Sequence, residues 1–304
     1  MPRFSIIIPT FNAVDTLIET IQSLQAQSFA DWEAYIIDDG SSDETVFLAD
    51  AAAHFDRRIR VLPNIRKGPS AARNFGATIA TGDILAFCDA DDLWVPEKLE
   101  VLDRVFRDTS IDACFAQVGF FDRQLHRSLS TVPEGDLTVP MLLGENPVCT
   151  MSNIAVRNSV FEATAGFDMK LVHNEDLEWL IRLVGSGHRV VGLQHTLVYY
   201  RTSVTGLSAD IGAMRQGRRA ALNTARCFGY TATPQDEAVF LRYLARRALR
   251  TDAPALQTLM LARDGLRTSL SGWFSPANRG AQTLIAALVA PLIPARLRHA
   301  LFCS

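Results

Sequence analysis

The chain has 304 residues, 48% hydrophobic and 21% charged, which excludes a disordered chain and suits a large α/β domain with an accessory region, or two modest domains. Its net charge of −3 hides an asymmetry: Gly206 to Ser304 holds 13 arginines, no lysine and five acids, a net +8, so the first 205 residues carry −11. A basic tail on an acidic body points to a surface that meets phosphates, most plausibly anionic lipid headgroups or an acidic partner.

Cys88, Cys114, Cys149, Cys227 and Cys303 show no CxxC pair and no metal-ligand spacing, which argues for reduced thiols in a cytoplasmic setting. The opening "MPRFSIIIPTFN" has one arginine and a short apolar run broken by Pro9, unlike a signal peptide.

In chain order, "FSIII" (4–8) reads as a strand covered on both faces. Asn12 offers an N-cap to a helix carrying Val14, Leu17, Ile18, Ile21 and Leu24. "WEAYII" (32–37) is a second strand, 43–54 a helix, "RIRVL" (58–62) a third strand, 70–80 a small-residue helix and "ILAFC" (84–88) a fourth strand. This alternation implies right-handed crossovers and a mostly parallel sheet. Ligands of such sheets bind beyond the carboxyl ends of the strands, where Pro9–Asn12, Asp38–Asp43 and Asp89–Asp92 all fall.

Pro96 starts a helix over 96–107, and "DACFAQVGFFD" (112–122) is another strand. Residues 125–150, rich in Pro and Gly, read as a mobile loop over the site. A strand, a short helix and a turn follow, then a helix over 175–187, then two strands, "RVVGL" and "TLVYYR". Beyond about residue 206 the pattern is Arg-rich and helical. Its uncharged segment 280–295, with Pro291 inside, suits a helix lying in a membrane interface or a buried terminal helix, not a bilayer span.

Four segments bear chemistry. Asp89 and Asp91 flank Ala90 directly after an apolar strand, and Asp92 follows. Like charges so crowded call for a positive partner, and a hard divalent cation such as Mg²⁺ or Mn²⁺ prefers carboxylate oxygens while leaving positions for a diphosphate. Asp-x-Asp alone is a common loop pattern; its place after the strand singles it out.

"IIDDGSSDET" puts Asp38 and Asp39 at the next strand end. Asp39 can accept an imide N–H from a base, while Ser42 or Asp43 caps the following helix. Arg73, in "GPSAARNFGA", can reach a phosphate from a helix start. Glu175 and Asp176 open a helix whose dipole keeps carboxylates ionised, as a general base must be; an ordinary charged first turn reads the same way.

Taken together, "SIIIPTFNA", "IIDDGSSDET", "GPSAARNFGA", "GDILAFCDADDLWVPEKL", "GFD" and "EDLEWLIRL" resemble the family 2 glycosyltransferases, over roughly residues 3–205. The resemblance implies a GT-A fold, Rossmann-like, with a mostly parallel sheet flanked by helices and a C-terminal helical extension. It implies a nucleotide-sugar-binding half at 1–100 and an acceptor-binding half at 101–205; the Arg-rich helical region at 206–304 matches no motif of the family.

By the same resemblance Pro9 and Thr10 border the nucleotide, Asp39 bonds its base and Arg73 lies near the diphosphate. Asp91 holds Mn²⁺ or Mg²⁺, with Asp89 on the ribose or a metal-bound water; Asp176 is the catalytic base and Glu175 the second choice. The implied reaction inverts configuration at the sugar. Its partners are a UDP-, GDP- or dTDP-linked sugar and a glycan or lipid-linked acceptor. No nucleic acid is expected; contact with the cytoplasmic membrane face through 280–295, or a homodimer, is open. A non-catalytic sugar-nucleotide-binding scaffold and a nucleotidyltransferase are the competing readings. The acid at position 176 speaks against the first, and "PTFNAVD", lacking a Gly-rich basic loop, against the second.

Overall fold

A computed structural model describes residues 1–121, 126–202, 210–251 and 253–293. The chain divides into two compact units: Met1–Leu137 with Pro147–Thr202, and Thr138–Asn146 with Ser203–Ser304.

The first unit begins with β1 (Phe4–Thr10), α1 (Leu17–Gln25), β2 (Trp32–Asp38), α2 (Thr45–Phe55), β3 (Ile59–Pro63), α3 (Pro69–Ile79) and β4 (Ile84–Phe87). Ile6, Ile7 and Ile8 are fully buried because both sheet faces are covered by helices, each side chain contributing roughly 1.5–3 kcal/mol. On α1, Leu17, Ile21 and Leu24 fall on one face and enter the same core. All pairings here are parallel, in the order β3-β2-β1-β4. The order reverses between β1 and β4, so a crevice opens at their carboxyl ends.

The sheet continues through β5 (Leu93–Trp94), α4 (Lys98–Phe106), β6 (Ala113–Phe121), β7 (His126–Leu129), β8 (Ile154–Arg157), α6 (Asn158–Ala163), α7 (Glu175–Gly185) and β9 (Val190–Arg201). Its full order is β3-β2-β1-β4-β8-β6-β9-β5, with β7 on β6. β8 runs antiparallel to both β4 and β6, so this part of the sheet is mixed.

Several local expectations are corrected. Asn12 does not cap α1; it holds φ 46°, and its Oδ1 accepts from the Ser42 amide at 2.8 Å, pinning two strand-end loops together. The first residue of α2 is preceded by Glu44, and Asp43 instead accepts from the Thr45 amide at 3.0 Å. Helix α4 starts at Lys98, two residues beyond Pro96. "RVVGL" and "TLVYYR" form one strand, β9, because its irregular register opposite Ala116–Val118 absorbs the polar interruption. Residues 126–150 are not a plain loop: they include β7 and α5 (Val139–Leu142), and Val132, Leu137, Leu142 and Val148 are buried. The rest of that stretch, 125, lies outside the described residues.

The second unit comprises α5 with α8 (Ile211–Cys227), α9 (Pro234–Arg250), α10 (Ala255–Thr268), α11 (Leu270–Trp273) and α12 (Ala277–Val289), closed by a 3₁₀ turn, Ala290–Leu292. Thr233 and Asp236 form a capping box that starts α9. Trp273 is fully buried at the centre of this core and donates Nε1 to the Gly280 carbonyl at 3.1 Å. Gly265 is required beneath it: a Cβ there would lie 2.4 Å from the indole. No helix among the described residues is long and apolar enough to cross a membrane.

Candidate active site

The acidic turn after β4 is held from two directions. Asp92 is fully buried and accepts from the Arg201 amide at 3.0 Å and the Thr150 hydroxyl at 3.3 Å. Arg201 at the end of β9 also donates Nε to the Asp91 carbonyl at 2.9 Å. The Asp89 amide donates to Ser152 Oγ at 2.9 Å, and Asp89 Oδ2 accepts from Thr150 at 3.2 Å. Beneath the turn, Lys98 is buried and donates to the Ser152 carbonyl at 2.6 Å, its ammonium 3.9 Å from the centre of the Trp94 ring. Burial pushes its pKa down to about 7.

Arg73 links this turn to a distant segment. Helix α3 presents Ala71, Ala72 and Gly76 to the sheet, and a Cβ at Gly76 would come within 2.5 Å of Ile7. That close approach carries Arg73 inside, where it is 5% exposed. Its Nη2 lies 2.7 Å from Asp89 Oδ1 and its Nη1 3.0 Å from Glu175 Oε1. Burial works against the guanidinium charge, yet Asp89 and Glu175 raise its pKa. Three segments separated in sequence thus meet at one cation.

The acids around it are also shifted. Burial, then the Asp89 charge, raises Asp91 to about 6. Burial, then the Asp176 charge, raises Glu175 to about 7 despite Arg73. Asp176 is raised as well, chiefly by burial, with Arg73 opposing. This corrects the expectation that the helix dipole governs the pair: desolvation outweighs it.

Other motif residues prove to be scaffolding. Trp179 is buried against Phe87, Phe161 and Phe167 and donates to Thr164 Oγ1 at 3.1 Å. Arg182 holds Glu178 at 2.7 Å and donates to the carbonyls of Thr164 and Gly166. Asn74 grips both the amide and the carbonyl of Phe167, at 2.9 and 2.8 Å, which fixes "GFD" on α3.

At the neighbouring strand ends, Thr10 is buried and its Oγ1 donates to the Ile8 carbonyl, while its own carbonyl accepts from the Asp39 amide at 2.8 Å. Asp39 accepts from Asn64 Nδ2 at 2.8 Å and from the Gly68 amide at 2.9 Å. Gly68 sits at φ 100°, a conformation that favours glycine.

The structure therefore brings Arg73, Asp89 and Glu175 into contact, with Asp91 and Asp176 adjoining them. Pro9, Thr10 and Asp39 form a second cluster at the ends of β1 and β2; none hydrogen-bonds to the acidic turn among the described residues. Sequence reasoning missed Asp92, Thr150, Ser152 and Arg201 as supports of the turn, and Asn64 and Gly68 as supports of Asp39. Asp92 and Arg201 carried a signal, a third acid and a lone cation at a strand end. Thr150 and Ser152 carried none, since polar residues in a turn-rich stretch are ordinary.

The acidic turn was tested as a cation site through its donors. Among the described residues no group of three or more His, Cys, Asp or Glu side chains is arranged to hold a metal. Asp89 and Asp91 are hard oxygen donors on one turn, and burial, followed by the Asp89 charge, raises the pKa of Asp91, a charge that a divalent cation would offset. This pair fits Mg²⁺ or Mn²⁺ with the remaining positions left to ligand oxygens and water.

The sequence profile of Glycosyl transferase family 2 matches residues 5–164. The E. coli protein named UDP-Glc:alpha-D-GlcNAc-diphosphoundecaprenol beta-1,3-glucosyltransferase WfgD is 30% identical, over 68% of this chain and 79% of that protein. The putative glycosyltransferase EpsE of Bacillus subtilis is 28% identical, over 66% of this chain and 73% of that protein. The crystal structure of S. aureus TarS with UDP-GlcNAc covers 94% of this chain and 79% of its own, at TM-score 0.59 and 19% identity. The mannosyltransferase PcManGT from Pyrobaculum calidifontis, with GDP-Man and Mn²⁺, covers 99% of this chain and 84% of its own, at TM-score 0.59 and 18% identity. These neighbours share the GT-A fold expected from the sequence. The family profile spans more than half of the chain and WfgD is matched over most of its length, so the chain is a glycosyltransferase and belongs to family 2.

Proposed function

We propose that the protein transfers a sugar from a nucleoside diphosphate donor to an acceptor hydroxyl, with inversion at the anomeric carbon. The observation that carries this reading is the Arg73 bridge, 2.7 Å from Asp89 and 3.0 Å from Glu175, at the crevice between β1 and β4. Residues 1–100 bind the donor and 101–205 the acceptor. Pro9 and Thr10 border the nucleotide. Asp39, oriented by Asn64 and Gly68, keeps acceptor capacity for a base N–H.

Asp89 and Asp91 would hold Mn²⁺ or Mg²⁺, which supplies neutralisation of the diphosphate charge. Arg73 keeps a fixed positive charge beside the departing diphosphate, preorganised because its carboxylate partners hold it in place. Asp176 removes the acceptor proton. Glu175 is engaged by Arg73, and Asp176, half-buried at the start of α7, is the base in this reading. Relatives and neighbours motivate the ligands: WfgD is named for UDP-Glc and a diphosphoundecaprenol acceptor, and TarS and PcManGT hold UDP-GlcNAc and GDP-Man. We extend to this chain a nucleotide-sugar donor and a lipid-linked or glycan acceptor, met at a membrane surface through 280–295.

The test is a binding and hydrolysis screen of UDP-, GDP- and dTDP-sugars, with and without Mn²⁺, on wild type and Asp91→Ala. Metal-dependent binding of one donor, lost in Asp91→Ala, with an inverted anomer in the product, is the expected result. No binding of any donor, or retention of configuration, overturns the reading.

A further inference from the structure

We infer that the outer faces of α10 and α12 in the second unit form a docking surface for an anionic lipid bilayer. This deepens the membrane contact proposed above and names its residues and its lipid chemistry.

Helix α12 divides cleanly. Gly280, Thr283 and Ala287 are buried, as is Ala290 in the turn that follows. Ile285, Leu288, Val289 and Leu292 are exposed, Ile285 by 63% and Leu292 by 82%. The spacing of three and one places Ile285, Leu288 and Val289 on one face of α12, and Leu292 follows in the 3₁₀ turn Ala290–Leu292. Three large aliphatic side chains on one outer helix face, with a fourth exposed in the turn that follows, are more than the scattered single exposures of an ordinary surface.

Helix α10 packs in the same core through Leu261 and Ala262 and carries its own exposed stripe. Leu256, Met260, Arg263 and Arg267 recur at four, three and four residues, all exposed. That stripe is apolar over its first turn and cationic over its last. Arg263 has a neighbouring partner in Asp264 at 2.8 Å, an exposed pair that water and salt screen.

Charge decides the occupant. The second unit carries a net +7, whereas the first carries −10. A second copy presenting the same face brings like charges together, which opposes self-association. Anionic headgroups are attracted, at about 1 kcal/mol per basic residue near the surface, and the aliphatic stripe inserts at the acyl boundary. A helix that lies in the interface needs a short apolar face with arginines beside it, which these two helices supply.

The experiment is co-sedimentation of the full chain with phosphatidylcholine vesicles and with vesicles containing phosphatidylglycerol, without donor or metal, alongside sedimentation velocity. The wild type binds the anionic vesicles, and added salt weakens binding. Ile285→Glu/Leu288→Glu abolishes it, and Arg263→Glu/Arg267→Glu lowers it about tenfold or more. Phe55→Glu, at an exposed phenylalanine of the first unit, leaves it unchanged. Circular dichroism confirms that each variant is folded, which the exposure of these sites favours. The inference is overturned if wild type stays in the supernatant with anionic vesicles or if the apolar double variant binds normally. It is also overturned if velocity shows a dimer that this variant disperses while vesicle binding is absent. Donor binding measured in solution reports the transfer site separately, so failure of either reading is visible without the other.

Discussion

Both units bury arginine, and Arg73 of the first and Arg242 of the second are held by different chemistry. In the first unit Arg73 faces two carboxylates, Asp89 and Glu175, which raise its pKa. In the second, Arg242 is 2% exposed and donates to the carbonyls of Trp273 and Ser275 at 2.8 and 2.6 Å, with Glu145 only at 3.9 Å. Burial lowers its pKa. Carbonyl dipoles have one arrangement, so Arg242 fastens the turn between α11 and α12. Carboxylates are charges that a ligand can compete for, so Arg73 joins a site whose electrostatics change on binding. The comparison teaches that burial of a charge says little about function until its partners are named.

The largest effect falls on catalysis at the Arg73 end. Asp176→Asn is expected to lower kcat by about 10²–10⁴, with donor affinity little changed, in steady-state kinetics with the donor found by the screen. Unchanged kcat would remove Asp176 from the mechanism and return attention to Glu175.

Stability separates the two arginines next. Arg73→Met strands the buried Glu175 and leaves the partly exposed Asp89 without its cation, and is expected to cost roughly 3–5 kcal/mol in urea unfolding. Arg242→Met leaves carbonyl acceptors unpaired and is expected to cost about 1–3 kcal/mol. Equal costs would mean that the carboxylates near Arg73 are better solvated than their burial indicates.

A pH titration sharpens the point. Glu175 ionises near 4.5 in an unfolded chain and at about 7 in the fold. The native state then binds more protons at Glu175 between those values, so its contribution to stability is fully present below pH 4.5 and is lost as pH rises to about 7. Asp91, raised to about 6, acts in the same direction. Denaturation of Glu175→Gln across this window should show a shallower fall than wild type. Metal bound at Asp91 should flatten the remainder, and an unaltered slope would count against the burial argument.

The smallest effect belongs to the outer face of the second unit. Leu288→Glu, at a residue 58% exposed, should change unfolding free energy by less than about 0.5 kcal/mol. A larger loss would show that this side chain is packed.

Reading along the chain, the parallel half of the sheet was legible because crossover strands buried on both faces must be continuously apolar, as in "FSIII" and "ILAFC". The crevice was legible for the same reason, since three polar clusters followed three such strands. Capping was read less well. Asn12 resembled an N-cap by composition but bonds to the amide of Ser42, a partner 30 positions away that no local pattern marks. The single strand β9 reads as two in sequence because its irregular register tolerates "QH" between two apolar runs.

What the sequence determined by itself was the order of elements, the asymmetry of charge and the acids from which a metal and base site can be built, because these depend on residue type and short-range period. The tertiary structure decided which charges meet. Arg73 joins Asp89 to Glu175 only because small residues let α3 approach β1. Lys98 and Ser152 support the acidic turn only because the start of α4 and the 3₁₀ turn Met151–Asn153 come together at it. Desolvation, which follows from that packing and not from composition, sets the pKa values of the acids there.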